Sequence, residues 1–303
     1  MASIIDDFPS ADELKRQIML TSSIVWQPND ITLKEIDKWL ANFKGEVLPI
    51  AEEQILALWL LNHFVFYNEH EIRHLCKLLY KEFVHRKLME IGGPVPLNEA
   101  IGLIHTDHKF HFLGDPAESG AYVLYYFRQE NFLPMKYFLK NVNTDVDVDD
   151  KIIFIDDVTL TGDSTSQAFS FFNKLKPKGA KRVLLTFVAT HSAVSNLKGI
   201  NVDVISPIVL EDRNRCFHAS SDLFIHHSAH LRKCELMAQH YGQKIANGLP
   251  LGYRNGQLNF GFFYNTPDNT LPIFWADKAN WYPIVKRYDK KKHYHFTEDE
   301  RFV

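Results

Sequence analysis

The stretch Lys151-Ile-Ile-Phe-Ile-Asp156-Asp157-Val-Thr-Leu-Thr-Gly162-Asp-Ser-Thr165 decides how this 303-residue sequence is interpreted. The four apolar residues after Lys151 predict a strand that is buried on both faces, as the strands of parallel sheets are. Two carboxylates follow, and a loop of Thr, Gly and Ser then leads directly into a predicted helix. Such a loop directs several backbone N–H groups at one point, where the helix N-terminus adds partial positive charge. The stretch therefore predicts a site for a monophosphate.

The carboxylates before this loop indicate what the phosphate is attached to. Asp156 and Asp157 are suited to accept hydrogen bonds from vicinal hydroxyls that lie one sugar away from the phosphate. The hydroxyls of Thr159, Thr161 and Ser164 can donate to the phosphate itself. Because a phosphate beside a diol describes a ribose 5-phosphate, the sequence predicts a site for that group.

Two other interpretations fit the same stretch. The Walker B strand of a P-loop ATPase also joins an apolar run to acidic residues, but it requires the string G-x-x-x-x-G-K-[ST], which this sequence lacks. The second interpretation is an Asp pair at the edge of an ordinary α/β sheet, followed by a helix cap at Ser164 or Thr165. The residues of this stretch alone leave that second interpretation open.

Strands alternate with helices on both sides of this stretch. The predicted strands are residues 110–113, 152–155, 183–189 and 202–210, and the predicted helices between them are 120–130 and 165–175. This alternation predicts an α/β fold with a parallel sheet flanked by helices. Right-handed crossovers place the carboxyl ends of all strands at one edge of such a sheet, where binding sites gather.

A second strand, loop and helix precede the Asp pair in the sequence. The loop contains Gly114, Ser119 and Gly120, small residues that let backbone amides approach an anion at the start of a helix. Asp115 and Glu118 carry the wrong charge for an anion site unless they bind a metal. An ordinary βα turn has the same composition, so both interpretations of this loop stay open.

The residues before this core predict helices. Thr32 and Glu35 have the spacing of a capping box, residues 55–66 predict a buried helix, and residues 69–89 predict another. Gly92-Gly93-Pro94 then breaks the helical pattern. We therefore predict a helical N-terminal segment over residues 1–98, an α/β core over residues 99–265 and a C-terminal tail over residues 266–303.

Composition narrows the class of protein. Lys and Arg number 34 against 37 Asp and Glu, so no global positive field attracts nucleic acid or anionic lipid. Three widely spaced Cys exclude a disulfide scaffold and a CxxC zinc site and favour a reducing compartment. Acidic residues stand near the start where a signal peptide would carry basic residues and an apolar run, so we expect no export signal. The most apolar run falls short of the roughly 20 residues that span a bilayer. We expect a cytoplasmic protein without membrane contact, and the 13% aromatic content suggests a protein partner or a homo-oligomer.

The stretch from Lys151 resembles the loop of type I phosphoribosyltransferases that binds phosphoribosyl pyrophosphate (PRPP), in which two acidic residues and Thr-Gly-x-Thr/Ser follow an apolar strand. The resemblance covers about residues 108–212 and implies the type I fold, with Asp156 and Asp157 as the catalytic pair that holds the ribose hydroxyls. It implies Mg²⁺ bound mainly through the substrate pyrophosphate, without a separate protein metal site. It also assigns two loops. The implied 5-phosphate loop is Thr159, Leu160, Thr161, Gly162, Asp163 and Ser164, and the implied pyrophosphate loop contains Gly114, Ser119 and Gly120.

The order of helical segment, core and tail resembles one branch of that family, the phosphoribosyltransferase-like proteins of bacterial conflict cassettes, including some retron operons. This resemblance implies an antiphage effector that acts at the anomeric carbon of PRPP or a nucleotide, with nucleic acid reached through a partner. The alternative is a nucleotide-sensing module that has the same fold and no turnover. Leu160 stands where some purine-salvage members carry an Asp, so this loop supplies no general base and enzymatic activity stays undecided.

Overall fold

The computed structural model describes residues 3–93, 95–114, 118–140, 151–163, 165–166 and 182–288. In these ranges the α-helices are α1 Ile4–Asp7, α2 Ala11–Val25, α3 Leu33–Leu40, α4 Ile50–Asn62, α5 Glu69–Ile91, α6 Leu97–Asp107, α7 Ser119–Glu130, α8 His191–Gly199, α9 Ser228–Ile245 and α10 Pro272–Trp275. The strands are β1 Val65–Tyr67, β2 His108–Phe112, β3 Lys151–Thr159, β4 Arg182–Thr190, β5 Val202–Ile205, β6 Ile208–Leu210 and β7 Phe260–Phe262. No helix in the described ranges has both the length and the apolar character needed to cross a membrane.

The described chain forms two compact units. The first contains the residues up to 68, residues 215–217 and those from 221 onward, and the second contains residues 69–214 and 218–220. These divisions differ from the boundaries that the sequence suggests at residues 98 and 265. The reason is that α5 packs against α7 and β4, whereas Phe274 and Trp281 from the late chain pack against aromatic residues of α3 and the turn after it.

The second unit is built on a parallel sheet with the strand order β2-β3-β4-β5, in which β6 also pairs with β4. The predicted α/β fold with a parallel sheet is thereby confirmed. The single strand predicted over residues 202–210 is instead two strands, because Pro207 between them has no N–H to donate. The hydroxyl of Ser206 lies 3.1 Å from the carbonyl oxygen of Phe187 and 2.8 Å from that of Ile208.

Helices cover both faces of this sheet. On one face Phe110 of β2 packs against Phe83 of α5 and Phe127 of α7, with ring centroids 5.6 Å and 5.3 Å apart. On the other face Leu197 of α8 belongs to a buried cluster with Phe154 of β3. Burial on both faces explains the apolar runs at residues 152–155 of β3 and 183–185 of β4.

The strand order reverses beside β2. After α7 the chain returns as Phe138, which bridges to Phe110 in the parallel sense, and the N–H of Leu139 donates to the carbonyl of Phe110 at 3.0 Å. β3 pairs with the opposite side of β2, since Phe110 also pairs with Ile153. In open α/β sheets, ligands bind outside the carboxyl ends of the strands at such a reversal.

The first unit is mainly helical. The predicted capping box is confirmed, because Thr32 accepts from the N–H of Glu35 at 3.3 Å and the carboxylate of Glu35 accepts from the N–H of Thr32 at 2.8 Å. The helix predicted through residue 66 ends earlier, and the β-favouring run Val-Phe-Tyr forms β1, which pairs in parallel with β7.

Candidate functional site

The Asp pair lies where β3 extends past its neighbour β2. β2 stops at Phe112, which pairs with Ile155, so the next two residues of β3 have no partner on that strand. Asp156 instead lies beside the start of α7, and its Oδ1 is 3.5 Å from the hydroxyl of Ser119. Both carboxylates also accept local bonds, from the N–H of Asp157 at 2.9 Å and from that of Val158 at 2.8 Å. The pair is therefore held in fixed orientations at the strand reversal.

The electrostatic environment of Asp156 favours its neutral form. Loss of hydration among the surrounding protein atoms raises the pKa of Asp156 well above its ordinary value, and the adjacent charge of Asp157 is the second cause. The carboxylate of Glu118 adds to the same effect. Ligand hydroxyls that donate to Asp156, or a nearby cation, would stabilise its charged form. The pair is therefore suited to bind a diol or a metal-bound substrate.

The loop after β3 is closed by its own side chains. The hydroxyls of Thr159 and Thr165 are 3.1 Å apart and buried, and the hydroxyl of Thr161 accepts from the N–H of Asp163 at 3.2 Å. Gly162 has a φ of +79°, a left-handed conformation that favours glycine. A turn of this kind followed by a helical turn forms a concave set of amides that suits an anion.

The predicted phosphate-binding residues differ in how far their side chains are exposed. Thr159, Leu160 and Gly162 are buried, so they can reach a phosphate only through the backbone. Thr161 and Asp163 are half-buried, and the hydroxyl of Thr161 is the one of these two side chains that could donate to a phosphate. Ser164 lies outside the described residues. The assignment of these residues to a phosphate stays a prediction.

The loop predicted to receive pyrophosphate meets the Asp pair through Ser119. Gly114 has a φ of +93°, and a Cβ placed on it would lie 2.3 Å from Oε2 of Glu118, so that carboxylate folds back over the glycine. Gly120 is buried at the start of α7, where a Cβ would lie 2.4 Å from the carbonyl oxygen of Leu113. The start of α7 therefore touches the backbone at the end of β2, and Asp115 lies outside the described residues.

Sequence reasoning missed the contribution of α8. The hydroxyl of Thr190, the N-cap residue of this helix, donates to the carbonyl of Leu160 at 2.7 Å and accepts from the N–H of Ala193 at 3.0 Å. The side-chain amide of Asn196 lies 3.4 Å from the carbonyl oxygen of Thr161. The sequence signal was limited to a Thr at the end of an apolar strand, which predicts a helix cap but not its second partner.

The implied Mg²⁺ suits the donors that are present. Within the described ranges no group of three or more His, Cys, Asp or Glu side chains is arranged to hold a metal ion. Mg²⁺ that is bound mainly through substrate phosphates requires only one or two protein carboxylates. Asp156 and Asp157 provide oxygen donors of that type, and the cofactor itself stays a prediction.

The parallel sheet, the acidic pair and the glycine-containing loop that leads into a helix together define a phosphoribosyltransferase-like α/β protein. The model of the PRTase-CE family matches residues 36–287, and the chain belongs to that family. The match extends well beyond the motif region at residues 108–212 and includes parts of both compact units. Neither the curated proteins nor the solved structures gave a match.

Proposed function

We propose that this chain binds a ribose 5-phosphate group, carried by PRPP or by a nucleotide, at the carboxyl ends of β2 and β3. The observation that carries the proposal is the order of features on one strand. The acidic pair Asp156 and Asp157 lies at the strand reversal, and the left-handed turn at Gly162 follows five residues after the second Asp. Strand reversals of this kind are where α/β proteins bind their ligands.

Each part of the site has a role in this proposal. Asp156 and Asp157 accept hydrogen bonds from the ribose 2- and 3-hydroxyls, which favour the charged form of a carboxylate whose own surroundings disfavour it. The amides of Thr161 and Gly162 bind the 5-phosphate, and Mg²⁺ neutralises a pyrophosphate group when PRPP is the ligand.

The chemistry that this arrangement supports takes place at the anomeric carbon. Substitution there passes through an oxocarbenium-like state, so two carboxylates near the ribose ring stabilise the positive charge that develops. Holding the ribose at both ends also orients the anomeric carbon towards its nucleophile. Leu160 is buried and offers no general base, so the acceptor or another group activates that nucleophile.

A nucleotide-sensing module without turnover is the second candidate. The observation that favours it is the same buried Leu160, because phosphate binding and ribose binding need no general base. The two candidates share one site and differ only in whether a product appears.

We further propose that the protein acts in the cytoplasm as an effector of a bacterial antiphage system, together with a protein partner or a second copy of itself. The support for this role is the resemblance of its helical segment, core and tail to the phosphoribosyltransferase-like proteins of conflict cassettes. Nucleic acid would then be reached through the partner, since the chain carries a net charge of −3.

Calorimetric titration with PRPP and Mg²⁺ tests the binding site, and chromatography of the mixture tests for product. We expect saturable binding by the wild type and a loss of at least about tenfold in affinity in the double variant Asp156→Asn/Asp157→Asn, because each lost charged hydrogen bond costs about 1.5–3 kcal/mol. Asp203→Asn is the control, since it removes an exposed carboxylate of β5 in the same sheet. Absence of binding by the wild type, or equal binding by the double variant, would contradict the proposal.

A further inference from the structure

Two consecutive carbonyl groups of the loop after β3 are held by side chains from α8 and its cap. The hydroxyl of Thr190 donates to the carbonyl of Leu160 at 2.7 Å, and the side-chain amide of Asn196 lies 3.4 Å from the carbonyl of Thr161. These contacts join residues that are 30 and 35 positions apart in the sequence. Both carbonyls therefore point towards α8.

The direction of these carbonyls fixes the direction of two N–H groups. In a planar trans peptide the N–H of one residue points opposite to the carbonyl of the residue before it. The N–H groups of Thr161 and Gly162 consequently point away from α8, towards one common side of the loop. Two successive amides with the same direction form the kind of concavity that binds an anion.

The cap is itself held in place. The hydroxyl of Thr190 accepts from the N–H of Ala193 at 3.0 Å and lies 3.0 Å from the hydroxyl of Ser192, so its position is set by the first turn of α8. Leu197 is fully buried on the same helix, and a Cβ added to Gly162 would lie 3.4 Å from its Cγ. The helix therefore packs directly against the turn that it orients.

We propose that Thr190 and Asn196 are positioning residues for the 5-phosphate, because they aim the amides of Thr161 and Gly162 at it. This inference rests on the proposed function. Neither residue touches the phosphate. Their effect is to fix beforehand an arrangement of donors that the loop would otherwise adopt only on binding, which lowers the cost of ordering the loop.

Four variants separate positioning from a loss of helix stability. Thr190→Val removes the hydroxyl with little change in size, and Thr190→Ser restores it. Asn196→Ala removes only the contact to the carbonyl of Thr161, since Asn196 is exposed on α8. The control is Thr32→Val, which removes the N-cap hydroxyl of α3 in the other compact unit. Each of the two Thr→Val substitutions removes one N-cap hydrogen bond, so we expect them to lower the stability of their helices by similar amounts.

The affinity for ribose 5-phosphate is the first measurement. We expect Thr190→Val and Asn196→Ala to bind it at least about tenfold and about threefold more weakly, respectively, because hydrogen bonds to a charged phosphate are strong and directional. Thr190→Ser and Thr32→Val should stay within about twofold of the wild type. Because Thr32 lies in the other compact unit, Thr32→Val shows how far the loss of a helix cap elsewhere in the chain lowers the affinity.

The second measurement is ³¹P NMR of ribose 5-phosphate at saturation, as a function of pH. Amides aimed at the phosphate favour its dianion, so the wild type should hold the second pKa of the bound phosphate below its ordinary value of about 6, and Thr190→Val should return it towards that value. Unchanged affinity and an unchanged phosphate pKa in Thr190→Val would overturn the positioning role while leaving the binding site intact. No binding by the wild type would instead overturn the proposed function, and the positioning role with it.

Discussion

At the scale of single residues, Asp156 is kept at a cost to stability. Its pKa is raised by burial and by the neighbouring charge of Asp157, so ionising it is harder in the folded protein than in the unfolded chain. Residues that lower stability in this way and lie at a strand reversal are typical of functional sites. The side chain is better explained by a ligand than by the fold.

Replacing Asp156 by Asn should therefore stabilise the protein. Because the folded pKa lies above the unfolded value of about 3.9, the unfolding free energy of the wild type falls as pH rises from about 4 through the folded pKa. The variant lacks this fall, so its advantage should be absent below about pH 4 and should grow as the pH rises towards the folded pKa. Each kcal/mol gained raises Tm by about 2–4 °C in chains of 150–250 residues.

Thermal melts between pH 4 and pH 8 measure this difference. Asp203→Asn is again the control, because that carboxylate is exposed and forms a 3.8 Å ion pair with Arg86. We expect the control to change Tm little at any pH, as surface substitutions do. A lower Tm for Asp156→Asn at neutral pH would show that the carboxylate is a structural group.

We expect Glu118 to disfavour ligands that carry a pyrophosphate group. Its carboxylate lies over Gly114 and contributes to the negative field at Asp156, where a pyrophosphate would be repelled. Glu118→Gln should strengthen the binding of PRPP by severalfold and leave that of ribose 5-phosphate nearly unchanged. Competition binding at fixed Mg²⁺ measures both, with Glu99→Gln on the exposed side of α6 as the control. Weaker PRPP binding by Glu118→Gln would identify Glu118 as a Mg²⁺ ligand instead.

At the scale of secondary-structure elements, the start of α7 depends on the absence of a side chain at Gly120. A Cβ there would lie 2.4 Å from the carbonyl oxygen of Leu113, just after β2, and 3.1 Å from that of Ile155 in β3, both of them backbone atoms. Gly120→Ala should therefore lower the unfolding free energy by about 1–3 kcal/mol, the usual cost of overpacking. It should also weaken ligand binding, because Ser119 moves with the helix.

Gly102 provides the matched control for this substitution. It lies in the interior of α6, and nothing is found within 4 Å of a Cβ built on it. Gly102→Ala should raise the unfolding free energy by about 0.5–1 kcal/mol, since Ala is the better helix former. Urea unfolding of both variants checks the pair, and a stable Gly120→Ala would mean that α7 can shift without affecting the sheet.

The elements that the sequence predicted are those whose signals are local. β3, β4 and α7 follow from apolar runs and turn residues, and the capping box at Thr32 follows from its spacing. β1 was missed because three residues at the end of a helical pattern form a strand only through a partner far along the chain, as Val65 does with Phe260. Long-range pairing of this kind has no signal in a single sequence.

In the candidate site, too, the features with local sequence signals could be predicted and those that depend on long-range contacts could not. The Asp pair and the turn at Gly162 could be predicted because strand, carboxylates and glycine are contiguous. The side chains that hold the turn could not, because Thr190 and Asn196 reach it through contacts to backbone carbonyls. A backbone carbonyl is present at every residue, so the sequence does not show which one a side chain will choose.

At the scale of the whole molecule, the two ends of the described chain belong to one unit. Trp39 of α3 and Trp281 both donate their indole N–H to the carbonyl of Ile273, at 2.8 Å and 3.0 Å. Phe43 packs edge-on against both tryptophans, with centroids 5.3 Å apart in each case. The early helices thus share a core with residues that are more than 200 positions later in the sequence.

Because of this arrangement, tryptophan fluorescence is a specific probe of the first unit. All five tryptophans lie in the first unit, so tryptophan emission reports on that unit and not on the sheet with the candidate site. These residues are Trp26, Trp39, Trp59, Trp275 and Trp281. The proposed binding of ribose 5-phosphate would report on the second unit in the same way, so the two measurements would distinguish where a substitution acts.

Trp281→Ala should lower the stability of the first unit by about 3–5 kcal/mol, the usual cost of removing a buried aromatic side chain. The midpoint of unfolding seen by the remaining tryptophans should fall accordingly, even though Trp26, Trp39 and Trp59 are far from the substitution in sequence. Tyr288→Ala is the control, because that ring is 51% exposed and its loss should change stability by less than about 0.5 kcal/mol. An unchanged midpoint in Trp281→Ala would mean that the early helices do not depend on packing against the late chain for their stability.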